Sequence, residues 1–309
     1  MIVSPSDGIV LSNLGWVERG SLWLLRVGED VPEHIALGDA EYLRLAAGIG
    51  SEGAFTVVHH YPGAERCLVT VRLASRPSEA IASVSTDGWK TTAEGDLSAF
   101  DGQKSLHVAY LRGSRFSNSG YFVIDIGHND VRVRRLDWFD DRYDHGYQSV
   151  MSALLIPDQG YLFGVQRSSE LVLCDTADLT VIRRVPLVER GGNPVPFLRG
   201  EGEELWAVDY DTVVRLDTAS WRITDQWRGQ QEVDGGRMFL GEAWLSPKED
   251  QVLFARPGVG DIVALDTTTM KVGNTWRVGG QPLVAAMLDT QLVARDWKTG
   301  RLLRPLNDQ

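Results

Sequence analysis

One phrase recurs along this chain: an apolar run ending in Asp, a short polar turn, and a second strand-like run that often ends in Trp. It reads YFVIDIGHNDVRVRRLDW (121–138), LVLCDTADLTVIRRVPL (171–187), VVRLDTASWRITDQW (213–227) and IVALDTTTMKVGNTWRV (262–278). Its Asp residues, Asp125, Asp175, Asp217 and Asp266, stand 50, 42 and 49 positions apart. Repeats of that period belong to arrays in which each unit buries its apolar faces against its neighbours. A carboxylate at this point has a local task, because it can accept from backbone N–H groups two residues on and close the turn by itself. The four Asp residues are therefore read as hairpin devices.

A second hairpin precedes each phrase, with Pro, Gly and acidic residues between two apolar runs. Examples are IVSPSDGIVLSNL (2–14), LSAFDGQKSLHVAYL (97–111), ALLIPDQGYLFGV (153–165) and AWLSPKEDQVLFA (243–255). Two hairpins per period make a four-stranded unit. The expected fold is all-β, a seven-bladed β-propeller of four-stranded antiparallel blades forming a single domain over 1–309. The blades fall at approximately 1–38, 42–84, 97–138, 149–187, 194–227, 238–278 and 282–306. The last is short, with strands expected at Leu283–Leu288, Gln291–Asp296 and Arg301–Leu306. The pattern does not say whether its missing strand is the inner or the outer one. If it is the inner one, Met1–Ser4 could supply it, and the ring must close by contact between the chain's two ends, since an open array would expose a sheet edge.

Rival patterns fail on context. Ala40–Ala47 has a possible helical pattern but is too short to stand against the strand period around it. Gly48, Gly50 and Gly53 have dinucleotide-fingerprint spacing, yet AFTVVHHY follows as a strand where a helix N-terminus would have to hold the pyrophosphate.

The phrase IVALDTTTMKVGNTWRVGGQP resembles the YVTN-type, quinoprotein-like propeller repeat, and Ala294–Arg301 is similar to the tryptophan-docking turn of that superfamily. The resemblance implies the propeller fold and, at its furthest reach, a subunit of a quinoprotein amine dehydrogenase-like complex. The Gly-His element of WD repeats, the literal YVTN tetrapeptide and the adjacent cysteines of quinone-bearing relatives are not in the sequence. No cofactor is expected.

Composition narrows the partner class. With 42 acidic and 31 basic residues the net charge is −11, so a nucleic-acid footprint would need a strong local basic stripe. The best candidate, Val131–Arg135, alternates with period two and reads as an outer strand guarded by Arg against edge pairing. Nucleic acid is therefore discounted. The longest apolar run, Leu283–Leu288, is far below the roughly 18–20 residues a membrane helix needs. The start MIVSPSDG has no export pattern, and two cysteines, Cys67 and Cys174, suit a reducing compartment, so a cytoplasmic location with no membrane contact is expected.

In a propeller, the loops joining second to third strands and fourth strands to the next first strands share one face. The richest such loop is Trp138–Tyr147, which holds Asp140, Asp141, Arg142, Tyr143, Asp144 and His145. Asp140, Asp141, Asp144 and His145 are oxygen-rich enough to suggest a hard divalent cation, although their spacing matches no standard loop. Asp141, Asp144 and His145 with His59 could also serve as a proton-transfer set. Arg112, Arg115, Arg237, Arg256 and Trp89 are assigned to the same face, where planar guanidinium forks suit a carboxylate or other anion. The alternative is that Glu18, Asp87, Glu189 and Glu232 pair with these arginines at the surface. The opposite face carries Asp7, Glu52, Asp158, Glu201, Glu203, Glu204, Glu249 and Asp250 with few expected partners.

Three functions fit. The first is a non-catalytic module binding a protein partner or small anionic ligand on the Arg-bearing face. The second is an enzyme of lyase, lactonase or hydrolase type with an acid/base or metal site at the channel mouth. The third is the quinoprotein-complex subunit.

Overall fold

A strand whose residues are apolar on both sides of its pleat must be covered on both faces. YLFGV, LVLC, VLFA and IVAL are such runs, and each lies inside a sheet whose fourth strand is polar. In the computed structural model the described residues are 2–4, 9–12, 21–26, 33–36, 42–47, 54–60, 66–73, 76–87, 90–91, 97–100, 105–112, 120–126, 131–136, 150–165, 169–187, 192, 194–199, 204–229, 232–233, 236–237, 240–241, 243–246, 248–288 and 290–306.

Strands among them that pair in register run antiparallel to their neighbours. The first sheet runs β1 (Ile2–Ser4), β2 (Ile9–Ser12), β3 (Ser21–Arg26) and β4 (Glu33–Ala36). The second runs β5 (Tyr42–Ala47), β6 (Ala54–His60), β7 (Arg66–Leu73) and β8 (Arg76–Asp87). A two-residue strand, β9 (Lys90–Thr91), pairs with β11 in the sheet β10 (Leu97–Phe100), β11 (Ser105–Arg112), β12 (Gly120–Ile126) and β13 (Val131–Arg135). Next come β14 (Val150–Ile156), β15 (Gly160–Val165), β16 (Glu170–Cys174) and β17 (Val181–Pro186), then β18 (Val195–Arg199), β19 (Glu204–Asp209), β20 (Thr212–Asp217) and β21 (Arg222–Arg228). A small hairpin, β22 (Glu232–Val233) and β23 (Gly236–Arg237), precedes β24 (Ala243–Leu245), β25 (Gln251–Arg256), β26 (Asp261–Asp266) and β27 (Val272–Arg277). The last sheet has three strands, β28 (Pro282–Leu288), β29 (Gln291–Asp296) and β30 (Leu302–Leu303).

All-β architecture with four-stranded antiparallel sheets is thus as expected, with three local differences. The strand β8 extends three residues beyond the expected boundary at 84, β9 makes the third sheet five-stranded, and β22–β23 is an added hairpin. Tyr42–Ala47 is a strand, and the Gly48–Gly53 segment is followed by one. No helix among the described residues is long and apolar enough to cross a membrane. The chain divides into two compact units, Met1–Val165 with Val172–Arg183, and Gln166–Leu171 with Arg184–Gln309.

Within the second unit the pleat feeds two cores. From β25, Val252 and Phe254 pack with Trp206, Val208 and Val213, whereas Leu253 and Ala255 pack with Ala285, Leu292 and Ala294. Alternate residues of β26 divide in the same way, Val263 and Leu265 to the first core and Ile262 and Ala264 to the second. The fourth strands β21 and β27 are exposed along most of their length. In the first unit Tyr161, Phe163, Val172 and Cys174 pack with Val123 and Leu136.

The recurring Asp does what its position implies at Asp175, Asp217 and Asp266, whereas the turn after Asp125 lies outside the described residues. Asp175 Oδ1 accepts from the N–H of Ala177 at 2.7 Å, Asp217 Oδ1 from Ser220 at 2.5 Å, and Asp266 Oδ1 from Thr269 at 2.7 Å. Four residues after each Asp the backbone turns left-handed, at Leu179 (φ 62°), Trp221 (φ 57°) and Met270 (φ 55°). That conformation costs a non-glycine residue roughly 1–2 kcal/mol. The cost is offset here because all three side chains are buried.

Asp296 builds the same turn, accepting from Thr299 N–H at 2.7 Å and with Gly300 at the left-handed position (φ 68°), but elsewhere in its sheet. After β27, Val278 N–H bonds Gly260 O, as Gly229 N–H bonds Asp211 O after β21 and Leu187 N–H bonds Ser169 O after β17. The connector into β28 is therefore of the kind that leaves a fourth strand for the next first strand. It makes β28 the first strand, β29 the second and β30 the third. What the last sheet lacks among the described residues is its outer strand, and Ile2–Ser4 pairs with β2.

The Asp217 and Asp266 carboxyls lie below the ordinary Asp value of 3.8: Asp217 because of the Ser220 hydroxyl and N–H, Asp266 because of the Thr269 N–H and hydroxyl, with the Thr268 N–H and the Arg199 charge helping. Burial pushes Asp296 up, but the N–H groups of Gln281 and Thr299 and the Thr299 hydroxyl outweigh it and hold this carboxyl low as well. Groups depressed in the folded state stabilise it fully above the unfolded value and stop doing so as pH falls through the folded value. Acid urea titrations should show stability falling below about pH 4, with a shallower fall in the Asp266→Asn/Asp296→Asn variant. An identical acid slope in that variant would contradict the assignment.

Candidate functional site

Strand register places Arg256, the last residue of β25, opposite Asp261, the first of β26. Between them, the N–H groups of Val259 and Gly260 both turn back to the Arg256 carbonyl, and Gly260 supplies the left-handed residue (φ 78°). The guanidinium then meets the carboxylate as a fork, Nε to Oδ1 at 2.7 Å and Nη2 to Oδ2 at 2.5 Å, with Nη1 3.4 Å from the Gly229 carbonyl. The Asp261 side chain is 4% exposed and that of Arg256 20%. A two-point pair of this kind fixes the loop on the strand ends and ties it to the end of β21.

Arg256 is the one sequence-assigned site residue whose side-chain surroundings are described. Arg112 ends β11, in register with Lys90 of β9, Arg237 ends β23, and His59 lies within β6. Trp89, Arg115, Asp140, Asp141, Arg142, Tyr143, Asp144 and His145 lie outside the described residues. Among the described residues there is no group of three or more metal-ligating side chains.

At the other end of the same strands lies a cleft of about 580 Å³ lined by Arg199, Glu204, Arg215, Asp217, Thr224 and Glu249. Here Glu204 is the hub. It takes Arg199 Nη1 at 2.7 Å and the Trp206 indole N–H at 3.1 Å, and lies 3.5 Å from Arg215. Arg215 also meets Asp225 at 2.6 Å and donates to the Thr267 and Thr268 carbonyls, while Arg199 Nε donates to the Glu249 carbonyl. Arg134 in the first unit bonds the Thr176 and Ala177 carbonyls, so in both units an arginine clasps the two residues after a turn Asp.

The expectation that Glu204 and Asp250 have few partners is corrected. Antiparallel register sets Arg199 opposite Glu204, and Asp250 accepts from the Ser246 hydroxyl at 2.7 Å. The missed signal was the five-residue spacing of opposite charges across a hairpin: Arg199 with Glu204, and Arg256 with Asp261.

No family model and no curated protein sequence matches this chain. Solved structures do. The β-propeller domain of Cps50 (Swd1) from Myceliophteria thermophila aligns with a TM-score of 0.68 at 10% identity, over 98% of this chain and 95% of that one. This chain is a β-propeller. The propeller is similar in fold to a putative 6-phosphogluconolactonase from Bacteroides fragilis (TM-score 0.62, 13% identity, 99% and 95% covered). It is also similar to BamB from Moraxella catarrhalis (TM-score 0.58, 12% identity, 99% and 96% covered). At these identities the likeness is one of fold, and the neighbours span an enzyme-named protein and proteins not named for any activity.

Proposed function

We propose that this chain is a seven-bladed propeller acting as a non-catalytic binding module, which takes a protein partner or a small anionic ligand on the face carrying the second-to-third-strand and inter-blade loops. The observation that carries the reading is the Arg256–Asp261 fork, which holds one such loop rigid on two strand ends. Loops pinned on a rigid scaffold are where binding surfaces are built. Arg112, Arg115, Arg142, Tyr143, Arg237 and Trp89 are the proposed contact residues, with Arg256 anchoring their neighbour.

The test replaces Arg112, Arg142 and Arg237 together by Ala and leaves Arg256 alone, because removing it would strand a buried Asp261. A partner recovered with the wild-type protein from lysate of the source cells, and quantified by mass spectrometry, should be lost. Equal recovery by the triple variant would end the proposal.

A further inference from the structure

Five basic residues lie on or beside the last sheet: Arg277 at the end of β27, Arg295 in β29, Lys298 and Arg301 in the turn, and Arg304 after β30. Within 290–306 the single acid is Asp296, and the turn consumes it, with both carboxylate oxygens accepting backbone N–H bonds. Elsewhere in the same unit Arg184, Arg199, Arg215, Arg228 and Arg256 each meet a carboxylate. By contrast, the side chains of Arg277, Arg295, Lys298 and Arg301 have no ion pair among the described residues, and Arg295 Nε is buried without a hydrogen-bond partner.

Large apolar side chains border the same connector. Trp297 is 44% exposed and Leu306 59%, and Val259 is at 36%. Leu306 N–H bonds the Arg277 carbonyl, Trp297 N–H bonds Gln281 O, and Gly260, next to Val259, accepts from Val278 and Gly279. The three therefore surround residues 277–281. In the turn similar to a tryptophan-docking turn, Trp297 is partly covered and keeps an exposed edge.

We infer that this surface docks an acidic peptide segment bearing an apolar residue, with carboxylates on Lys298 and Arg301 and the apolar group on Trp297 and Leu306. This goes beyond the binding reading above, because the patch shares none of the contact residues proposed there. Trp and Arg are the residue types that carry most interface energy, and the guanidinium fork matches a carboxylate in two points. A short acidic segment suits the patch better than a nucleic acid, since a long polyanion would run past five cations into a molecule of net charge −11.

The probe is a fluorescein-labelled six-residue peptide with two Glu on each side of a central Leu-Phe pair, titrated by anisotropy against the full chain. Saturable binding is expected, weakened about tenfold or more by Trp297→Ala and by Lys298→Glu/Arg301→Glu. In the charge-reversed variant added salt should no longer weaken binding, and an all-Glu peptide should bind more weakly. Because the substituted side chains are exposed, unchanged urea midpoints serve as the folding control. No saturable binding, wild-type affinity in both variants, or tighter binding of a dT12 oligonucleotide would overturn the inference. The Arg112/Arg142/Arg237 variant should bind the peptide normally. If the peptide fails while that variant still loses its cellular partner, this inference falls and the binding reading stands.

Discussion

Trp206→Ala is expected to lower unfolding stability by about 4 kcal/mol, near the upper range for emptying a large core site. Trp206 is fully buried and is the largest such side chain among the described residues. It packs from β19 against the β25–β26 pair, with the Phe197 ring 6.0 Å from its own, and its N–H is one of the bonds that hold Glu204. Truncation therefore opens a cavity and also removes a donor from the hub of the cleft network. Trp206→Phe keeps most of the volume but not the donor, and should cost about 1.5 kcal/mol. Trp297→Ala should stay within about 0.5 kcal/mol, as exposed substitutions do. Urea denaturation followed by far-ultraviolet circular dichroism separates the three. A loss under 2 kcal/mol for Trp206→Ala would mean that the interface between these two sheets does not hold the unit together.

The elements most legible in the sequence were those whose signal is local. An Asp that caps its own turn states its job within four residues, and Asp175, Asp217 and Asp266 do it as read. Runs such as VLFA and IVAL announce two-sided burial, and β25 and β26 deliver it. What was illegible depended on register or on equivalence between repeats. Asp296 repeats the turn's chemistry at the second-to-third position, so the turn alone could not tell which strand the last sheet lacks. The connector bonds of Val278 and Gly279 to Gly260 decide it. The left-handed Leu179, Trp221 and Met270 could not be foreseen from propensity, which argues for glycine there; burial of each side chain overrides it. Pairings across a hairpin, such as Arg199 with Glu204, need the register before they can be seen.

The same logic bears on the candidate site, because Arg256 was assigned to ligand contact by residue type and face alone. Arg256→Met should destabilise the protein by about 3 kcal/mol, the lower end for breaking a buried pair from one side, since Asp261 would be left charged and enclosed. Arg256→Met/Asp261→Leu should recover most of that loss, because replacing both partners by apolar groups is often neutral. A coupling of about 2 kcal/mol in the double-mutant cycle would identify the pair as the element that sets the loop. Loss of partner binding in Arg256→Met alone would then report a displaced loop, and recovery of binding in the double variant would prove it. If instead Arg256→Met is as stable as wild type and binds nothing, the guanidinium serves the ligand directly, and Asp261 is its positioning residue.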